Sequence, residues 1–144
     1  MNAVALETNA AAGPRRRWAL WTGRILSALP ILIMLLSASM KFMPSPQMVD
    51  QFAGKFGYRE GTLLVLGVLE LSCAALYAIP RTAVLGAVLV TGYLGGAIAT
   101  HVRIGDPGFV VPLALSVAAW GGLYMRDKRL RALLPLRSAH RVSH

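Results

Sequence analysis

The chain has 144 residues, of which 56% are hydrophobic and only 15% are charged. Soluble domains carry about a quarter charged residues, so this composition indicates that lipid rather than water surrounds much of the chain. The formal net charge of +9 is compatible with nucleic-acid binding, but the basic residues lie between and outside the apolar runs, where they set membrane topology. We therefore expect no nucleic-acid partner. The single cysteine, Cys73, excludes an intramolecular disulfide and a CxxC redox pair.

The first apolar run follows a short tail. Residues 1–17 are rich in alanine, lack helical periodicity and end in three arginines, which predicts a disordered cytoplasmic tail. The run at about 20–41 is long enough to cross a bilayer, which takes about 20 apolar residues. A cleaved signal peptide is the alternative, but the run exceeds the usual length of its apolar region and three more runs follow.

The longest loop, residues 44–60, carries a helical pattern. Its apolar residues fall at i, i+3, i+4 and i+7, namely Val49, Phe52, Ala53 and Phe56. This spacing predicts a short amphipathic helix on the membrane surface or over the end of the bundle. An irregular loop remains the alternative.

Three more apolar runs follow, at about 61–80, 82–102 and 107–125. The joint between the first two is so short that their helices must be antiparallel neighbours. Residues 126–144 form a basic cytoplasmic tail. The sequence therefore predicts an all-α fold, a four-helix transmembrane bundle over residues 18–125 with short loops.

The basic residues give the orientation. Eleven of the fifteen lie on one side of the predicted spans: Arg15, Arg16, Arg17, Arg24, Arg81, Arg126, Lys128, Arg129, Arg131, Arg137 and Arg141. Four lie on the other side: Lys41, Lys55, Arg59 and Arg103. The positive-inside rule then places both termini in the cytoplasm, in a multi-pass protein of the inner (cytoplasmic) membrane.

Glu70 is the main candidate site residue, because it is an acidic residue near the middle of the second span. Placing an ionised carboxylate at that depth costs about 2.5–3.5 kcal/mol on insertion scales. We expect Glu70 to face the bundle interior, either protonated or bonded to a cationic or hydroxyl partner. Two roles stay open: an acid that only fixes helix packing, or a group that transfers protons or binds a polar ligand.

Possible partners of Glu70 lie toward the outer side. Lys41 ends the first span and shares a helical face with Ser37, while His101 and Arg103 end the third span. These residues predict a polar funnel leading down to Glu70, with ordinary interfacial anchoring as the alternative for the charged ones. Tyr93 either offers its hydroxyl to the interior or fills space.

Cys73 lies three residues after Glu70 on the same helical face. A Glu-x-x-Cys pair lacks the third ligand that a metal site needs, so we expect no metal, and the sequence assigns no catalytic residue. Gly92 and Gly96 form a GxxxG pattern, which we interpret as close helix packing within the chain, with a homo-oligomer contact as the alternative.

Several segments resemble the DoxX-like family of small four-helix bacterial membrane proteins, over roughly residues 21–137. The most specific are ELSC at 70–73, IPRT at 79–82, TGYLGG at 91–96 and HVRIGDP at 101–107. The family's first helix tends to end in Ser-Gly-x-x-Lys; here Ser37 and Lys41 are present, with Ala38 in place of glycine. The resemblance implies a four-helix transmembrane bundle, and its founding relatives act in quinone-linked thiosulfate oxidation and quinol oxidase complexes, so quinone is a cofactor by analogy alone.

Three hypotheses follow for function. The first is an accessory membrane subunit that binds a small ligand or quinone and associates with partner subunits of a membrane complex. The second is a proton-handling oxidoreductase component in which Glu70 titrates, tuned by Lys41 and His101. The third is a minimal transporter, which the lack of an inverted repeat disfavours. Whether the protein is an enzyme stays open.

Overall fold

A computed structural model describes residues 14–59, 61–127 and 130–131, with the backbone alone at 14–17 and 19. The described residues are helical and include no strand, which confirms the all-α expectation for them. The helices are α1 (Pro14–Phe42), α2 (Pro46–Asp50), α3 (Thr62–Ala78), α4 (Ala83–Arg103) and α5 (Val110–Arg126). A π-helical turn over Gln51–Lys55 continues α2, and a 3-10 turn over Pro107–Phe109 leads into α5.

Three helical stretches are long and apolar enough to cross a membrane: Leu20–Phe42, Ala83–Arg103 and Pro107–Arg126. The fourth apolar helix, α3, has 17 residues rather than the 20 expected over 61–80. It starts after Gly61, whose φ of 83° is left-handed, and ends before Pro80, which disfavours helical backbone at Ile79. At 1.5 Å per residue α3 is about 26 Å long, slightly less than the roughly 30 Å hydrocarbon core.

The four long helices pack as antiparallel neighbours. Helix α1 contacts α3 and α5, and α4 contacts the same two helices. The starts of α1 and α4 and the ends of α3 and α5 therefore lie together, at what we call the basic end; the opposite ends form the loop end. Between them, the largest fully buried side chains are Tyr77, Met34, Leu123, Val90 and Pro30.

The N-terminal boundary of α1 differs from the sequence prediction. Residues 14–17 were assigned to the tail, but they form the first turn of α1. Pro14 occupies the first helical position, where its fixed φ suits a helix and its missing N–H is not needed, and arginine is a good helix former. Arg126 likewise belongs to α5 rather than to the C-terminal tail. Residues 1–13, 128–129 and 132–144 lie outside the described residues.

The interpretation of the GxxxG pattern as close helix packing within the chain was wrong. Gly92, Gly95 and Gly96 are exposed, and a Cβ added at any of them would meet no atom within 4 Å. Close packing occurs instead at Gly86, where an added Cβ would lie 2.3 Å from the Tyr77 backbone nitrogen, and at Gly122, where it would lie 2.5 Å from Ser27 Oγ. These two glycines let α4 approach α3 and let α5 approach α1.

The 43–59 segment covers part of the loop end. Ser45 accepts a hydrogen bond from the Met48 N–H and so caps α2. Of the predicted apolar face, Phe56 is buried and Phe52 half-buried, with their rings in edge-to-face contact at 5.3 Å. A short helical element is therefore present here, but it is split between one α-helical and one π-helical turn.

Candidate functional site

The candidate site is a buried ion pair between α3 and α1. Glu70 lies in the middle of α3 and Lys41 in the last turn of α1, and their exposed fractions are 4% and 8%. Lys41 Nζ lies 2.7 Å from Glu70 Oε2. Gly67 makes room for this contact, because a Cβ there would approach Lys41 Cβ to 3.2 Å. Glu70, an acid within an apolar helix, therefore has a cationic partner.

Ser37 completes a triangle of polar groups. It lies one helical turn before Lys41, so the two side chains share a face of α1. Lys41 Nζ donates to Ser37 Oγ at 2.6 Å, and Ser37 Oγ donates to Glu70 Oε2 at 3.2 Å. A third, longer bond runs from Lys41 Nζ to the Ser37 carbonyl at 3.5 Å. All three ammonium donors thus have acceptors within the described residues.

Two further groups from the sequence prediction lie beside this triangle. Tyr93 of α4 is half-buried, and its hydroxyl lies within electrostatic range of the Glu70 carboxyl. Cys73, buried one turn after Glu70, also lies within electrostatic range of that carboxyl. The structure therefore brings together Lys41, Glu70, Tyr93 and Cys73 from three helices.

The electrostatics of the pair follow from its burial. Removing two charges from water is costly, and their attraction offsets that cost only where geometry is good and the remaining donors are satisfied. Both conditions hold for Lys41 and Glu70. We call the group formed by Ser37, Lys41, Glu70 and Tyr93 the polar centre. It offers hydroxyl and ammonium donors and a carboxylate acceptor, and apolar helices surround it.

His101 and Arg103 are not at this centre. His101 Nδ1 is 2.8 Å from the Ala97 carbonyl, and the imidazole packs against the Phe56 ring at 5.2 Å between centroids. The Arg103 guanidinium donates to the Phe56 carbonyl. Both residues therefore hold the 43–59 segment at the loop end. Lys41, in contrast, was expected at the mouth of a funnel but contacts Glu70 directly.

A second ion pair also fastens the 43–59 segment. Lys55 Nζ lies 2.6 Å from Asp106 Oδ2, in the turn between α4 and α5. The Lys55 ammonium, together with the Gly108 N–H that bonds Asp106 Oδ1, lowers the pKa of the Asp106 carboxyl below its usual range. The Tyr58 hydroxyl adds a 2.7 Å hydrogen bond to Thr100 Oγ1.

Sequence reasoning placed Ser37 on the Lys41 face but left it out of the site, and it missed the Tyr58–Thr100 and Lys55–Asp106 contacts. The i, i+4 spacing of Ser37 and Lys41 was the available signal. The other two pairs join residues more than forty positions apart, and only the packing of the helices brings them together. Among the described residues, no three His, Cys, Asp or Glu side chains are grouped to hold a metal ion.

The sequence pattern of the DoxX-like family matches residues 25–122, about two thirds of the chain. The chain belongs to the DoxX-like family. The matched region of this DoxX-like protein runs from α1 into α5 and contains the whole polar centre. Together with its three apolar helices of membrane-spanning length, the family identifies a multi-pass membrane protein. Searches of curated proteins and of solved structures each found no match.

Proposed function

We propose that this DoxX-like protein is a four-span accessory subunit of the cytoplasmic membrane whose polar centre binds the head group of a small amphipathic ligand of the quinone class. The observation that carries the proposal is the buried Lys41–Glu70 ion pair at 2.7 Å, with Ser37 and Tyr93 beside it. No catalytic step is assigned to the chain itself.

The contact between Lys55 and Asp106 supports four spans. Two side chains 2.6 Å apart lie on the same side of a membrane. Helix α4 has the length and composition to cross, so the turn before it, residues 79–82, belongs on the side opposite Asp106. The chain between Lys55 and that turn must then cross as well, and α3 is the helix it contains. The excess of basic residues at the basic end supports a cytoplasmic location for both termini.

The donors and the acceptor of the centre suit a quinone. A quinone carbonyl accepts hydrogen bonds, which Lys41, Ser37 and Tyr93 can donate, and a quinol hydroxyl donates, which the Glu70 carboxylate can accept. An incoming carbonyl would take the place of Ser37 as an acceptor for Lys41, so none of the three Lys41 donors is left unpaired before or after binding. The exposed apolar faces of the helices, such as Leu69 and Val68 next to Glu70, can accommodate an isoprenoid tail.

Quinone binding tests the proposal. The purified protein in detergent is titrated with a short-chain ubiquinone, and quenching of tryptophan fluorescence reports binding; Trp120, half-buried and bonded to Thr91, belongs to the same core. Lys41→Met should weaken binding at least tenfold, whereas Lys55→Met, which removes a cation from the exposed pair, should leave it unchanged. Equal binding by wild type and Lys41→Met, both folded by circular dichroism, would refute the assignment.

Proton handling is the second candidate, because the Lys41 ammonium is hydrogen-bonded to the Glu70 carboxyl and the Tyr93 hydroxyl lies within electrostatic range of that carboxyl. Glu70→Gln separates the two functions: the amide can still accept a hydrogen bond from Lys41 but cannot titrate. If Glu70→Gln binds quinone normally but abolishes the proton uptake that accompanies reduction of the bound quinone by added dithionite, the carboxyl handles protons. If proton uptake is unchanged, Glu70 only binds and positions the quinone.

A further inference from the structure

Arginines from α1, from the turn after α3 and from the last residue of α5 lie toward the basic end. The backbone of Arg126, at the end of α5, passes so close to α1 that a Cβ on Gly23 would lie 3.3 Å from the Arg126 nitrogen. Arg24 follows Gly23 directly, and Arg81 is exposed in the turn after α3. Asp127 adds one carboxylate, which accepts a 3.4 Å hydrogen bond from the Leu130 N–H.

The Arg126 guanidinium is held in place on α3. It stacks over the Tyr77 ring at 5.3 Å and donates from Nη2 to the Tyr77 carbonyl at 3.4 Å. Its Nε is buried and has no hydrogen-bond acceptor among the described residues. An unpaired buried donor is costly, so the guanidinium keeps a donor whose hydrogen bond is not made in this arrangement.

Helix α1 places aromatic rings beside these arginines. Trp18 and Trp21 are 74% and 61% exposed, and the Arg24 guanidinium lies 5.6 Å from the Trp21 ring. Exposed tryptophans at a helix end are typical of the boundary between hydrocarbon and head groups. The cationic cluster therefore lies at the depth of lipid phosphates rather than out in water.

We propose that Arg24 and Arg126 bind the phosphate of an anionic phospholipid head group. Guanidinium groups match the oxygens of phosphate with paired, charge-assisted hydrogen bonds, and Arg24 is exposed while Arg126 is partly exposed. The adjacent tryptophans favour a lipid over an acidic protein as its source, since their rings pack against acyl chains. This site is separate from the polar centre around Glu70 and does not depend on the function proposed for it.

The test is lipid binding by the full chain in detergent, measured by native mass spectrometry with phosphatidylglycerol and, separately, phosphatidylcholine. We expect phosphatidylglycerol to bind preferentially and Arg24→Gln to weaken its binding roughly fivefold. The matched control is Arg59→Gln, which removes a cation from the loop end and should change nothing. An equal loss in both variants, or equal binding of the two lipids, would overturn the site.

Two further measurements test the role of Arg126 and the source of the phosphate. Arg126→Gln removes the packing on Tyr77 as well as the charge, so Arg126→Lys is measured beside it. Lysine keeps the charge but lacks the forked donors of a guanidinium. If Arg126→Lys is folded and binds phosphatidylglycerol like the wild type, the role of Arg126 is refuted. Inorganic phosphate is the other arm. If millimolar phosphate displaces the lipid completely, the site binds free phosphate and the lipid assignment fails.

Discussion

At the scale of single residues, Glu70 shows how a charge is accommodated among apolar helices. The acid is compensated at its own depth by Lys41, which reaches it from the last turn of α1 instead of remaining at the surface. A lysine at a helix end more often extends its charged group toward water. Here Ser37 and Glu70 both offer oxygen atoms in the opposite direction, and the ammonium binds them.

This pairing predicts that the effect of substituting either residue on stability depends strongly on whether the other residue is present. Lys41→Met or Glu70→Met alone should destabilise the protein by about 3–5 kcal/mol, because the remaining charge stays buried without a partner. The double variant Lys41→Met/Glu70→Met should recover most of that loss. Unfolding in detergent with increasing SDS measures all four proteins. Additive losses in the double variant would show that the two side chains do not act as a pair.

Asp106 gives a prediction about pH. Its pKa in the folded protein is lowered by Lys55, so its contribution to stability is present above the pKa of the unfolded chain and is lost as pH falls through the lower folded value. Hydrogen exchange of the 43–59 segment should therefore be slow near neutral pH and accelerate, after correction for intrinsic rates, only in strong acid. In Asp106→Asn the exchange should be fast at every pH. A pH-independent difference between the two proteins would contradict this account.

At the scale of elements, glycine positions distinguish packed from open helix faces. Gly86→Ala would place a Cβ 2.3 Å from the backbone of α3, and the backbones must separate, which costs about 1–3 kcal/mol. Gly92→Ala lies on the same helix with no atom within 4 Å, so it should stabilise α4 by up to about 1 kcal/mol through helix propensity. Thermal unfolding of the two variants checks this. A destabilised Gly92→Ala would indicate that the face is covered by a second copy of the chain.

The same two glycines show what the sequence could and could not predict. The length of the apolar runs, together with Pro80 and the turn at Gly105–Pro107 that interrupt them, located the ends of the long helices to within three residues, except at the start of α1. The face on which each small residue lies was not predictable, because α4 carries glycines on both its packed and its open side. Hydropathy does not distinguish a neighbouring helix from lipid, since both are apolar.

For the candidate site, the sequence indicated Glu70 for a physical reason: an acid in the middle of an apolar run must be protonated or find a cationic or hydroxyl partner. It did not decide between these alternatives, and it placed Lys41 at the mouth of a funnel rather than at Glu70. It placed His101 and Arg103 near the site only because they end the third predicted span. Their contacts depend on the 43–59 segment, and the position of Phe56 between them follows from tertiary packing. Local pattern carries no information about that contact.

At the scale of the whole molecule, the two ends differ in chemistry. The loop end is tied together by Lys55–Asp106, Tyr58–Thr100 and the Arg103 contact to Phe56, so its charges are largely satisfied within the chain. The basic end leaves Arg24 and Arg81 exposed, and Arg24 lies over the ring of the exposed Trp21. This asymmetry is consistent with the proposed orientation, in which the basic end faces the leaflet that is rich in anionic lipid.

Membrane topology is the prediction on which this view of the molecule depends, and single cysteines can report it. In a Cys73→Ala background, Gln51→Cys and Ile104→Cys mark the loop end and Arg81→Cys marks the basic end. If α3 crosses, a membrane-impermeant maleimide applied to intact cells should label positions 51 and 104 but reach position 81 only after permeabilisation. If α3 does not cross, positions 51 and 81 must share a side and position 104 must lie opposite. That pattern would be incompatible with the Lys55–Asp106 contact, and so the experiment tests the membrane topology and the packing of the loop end together.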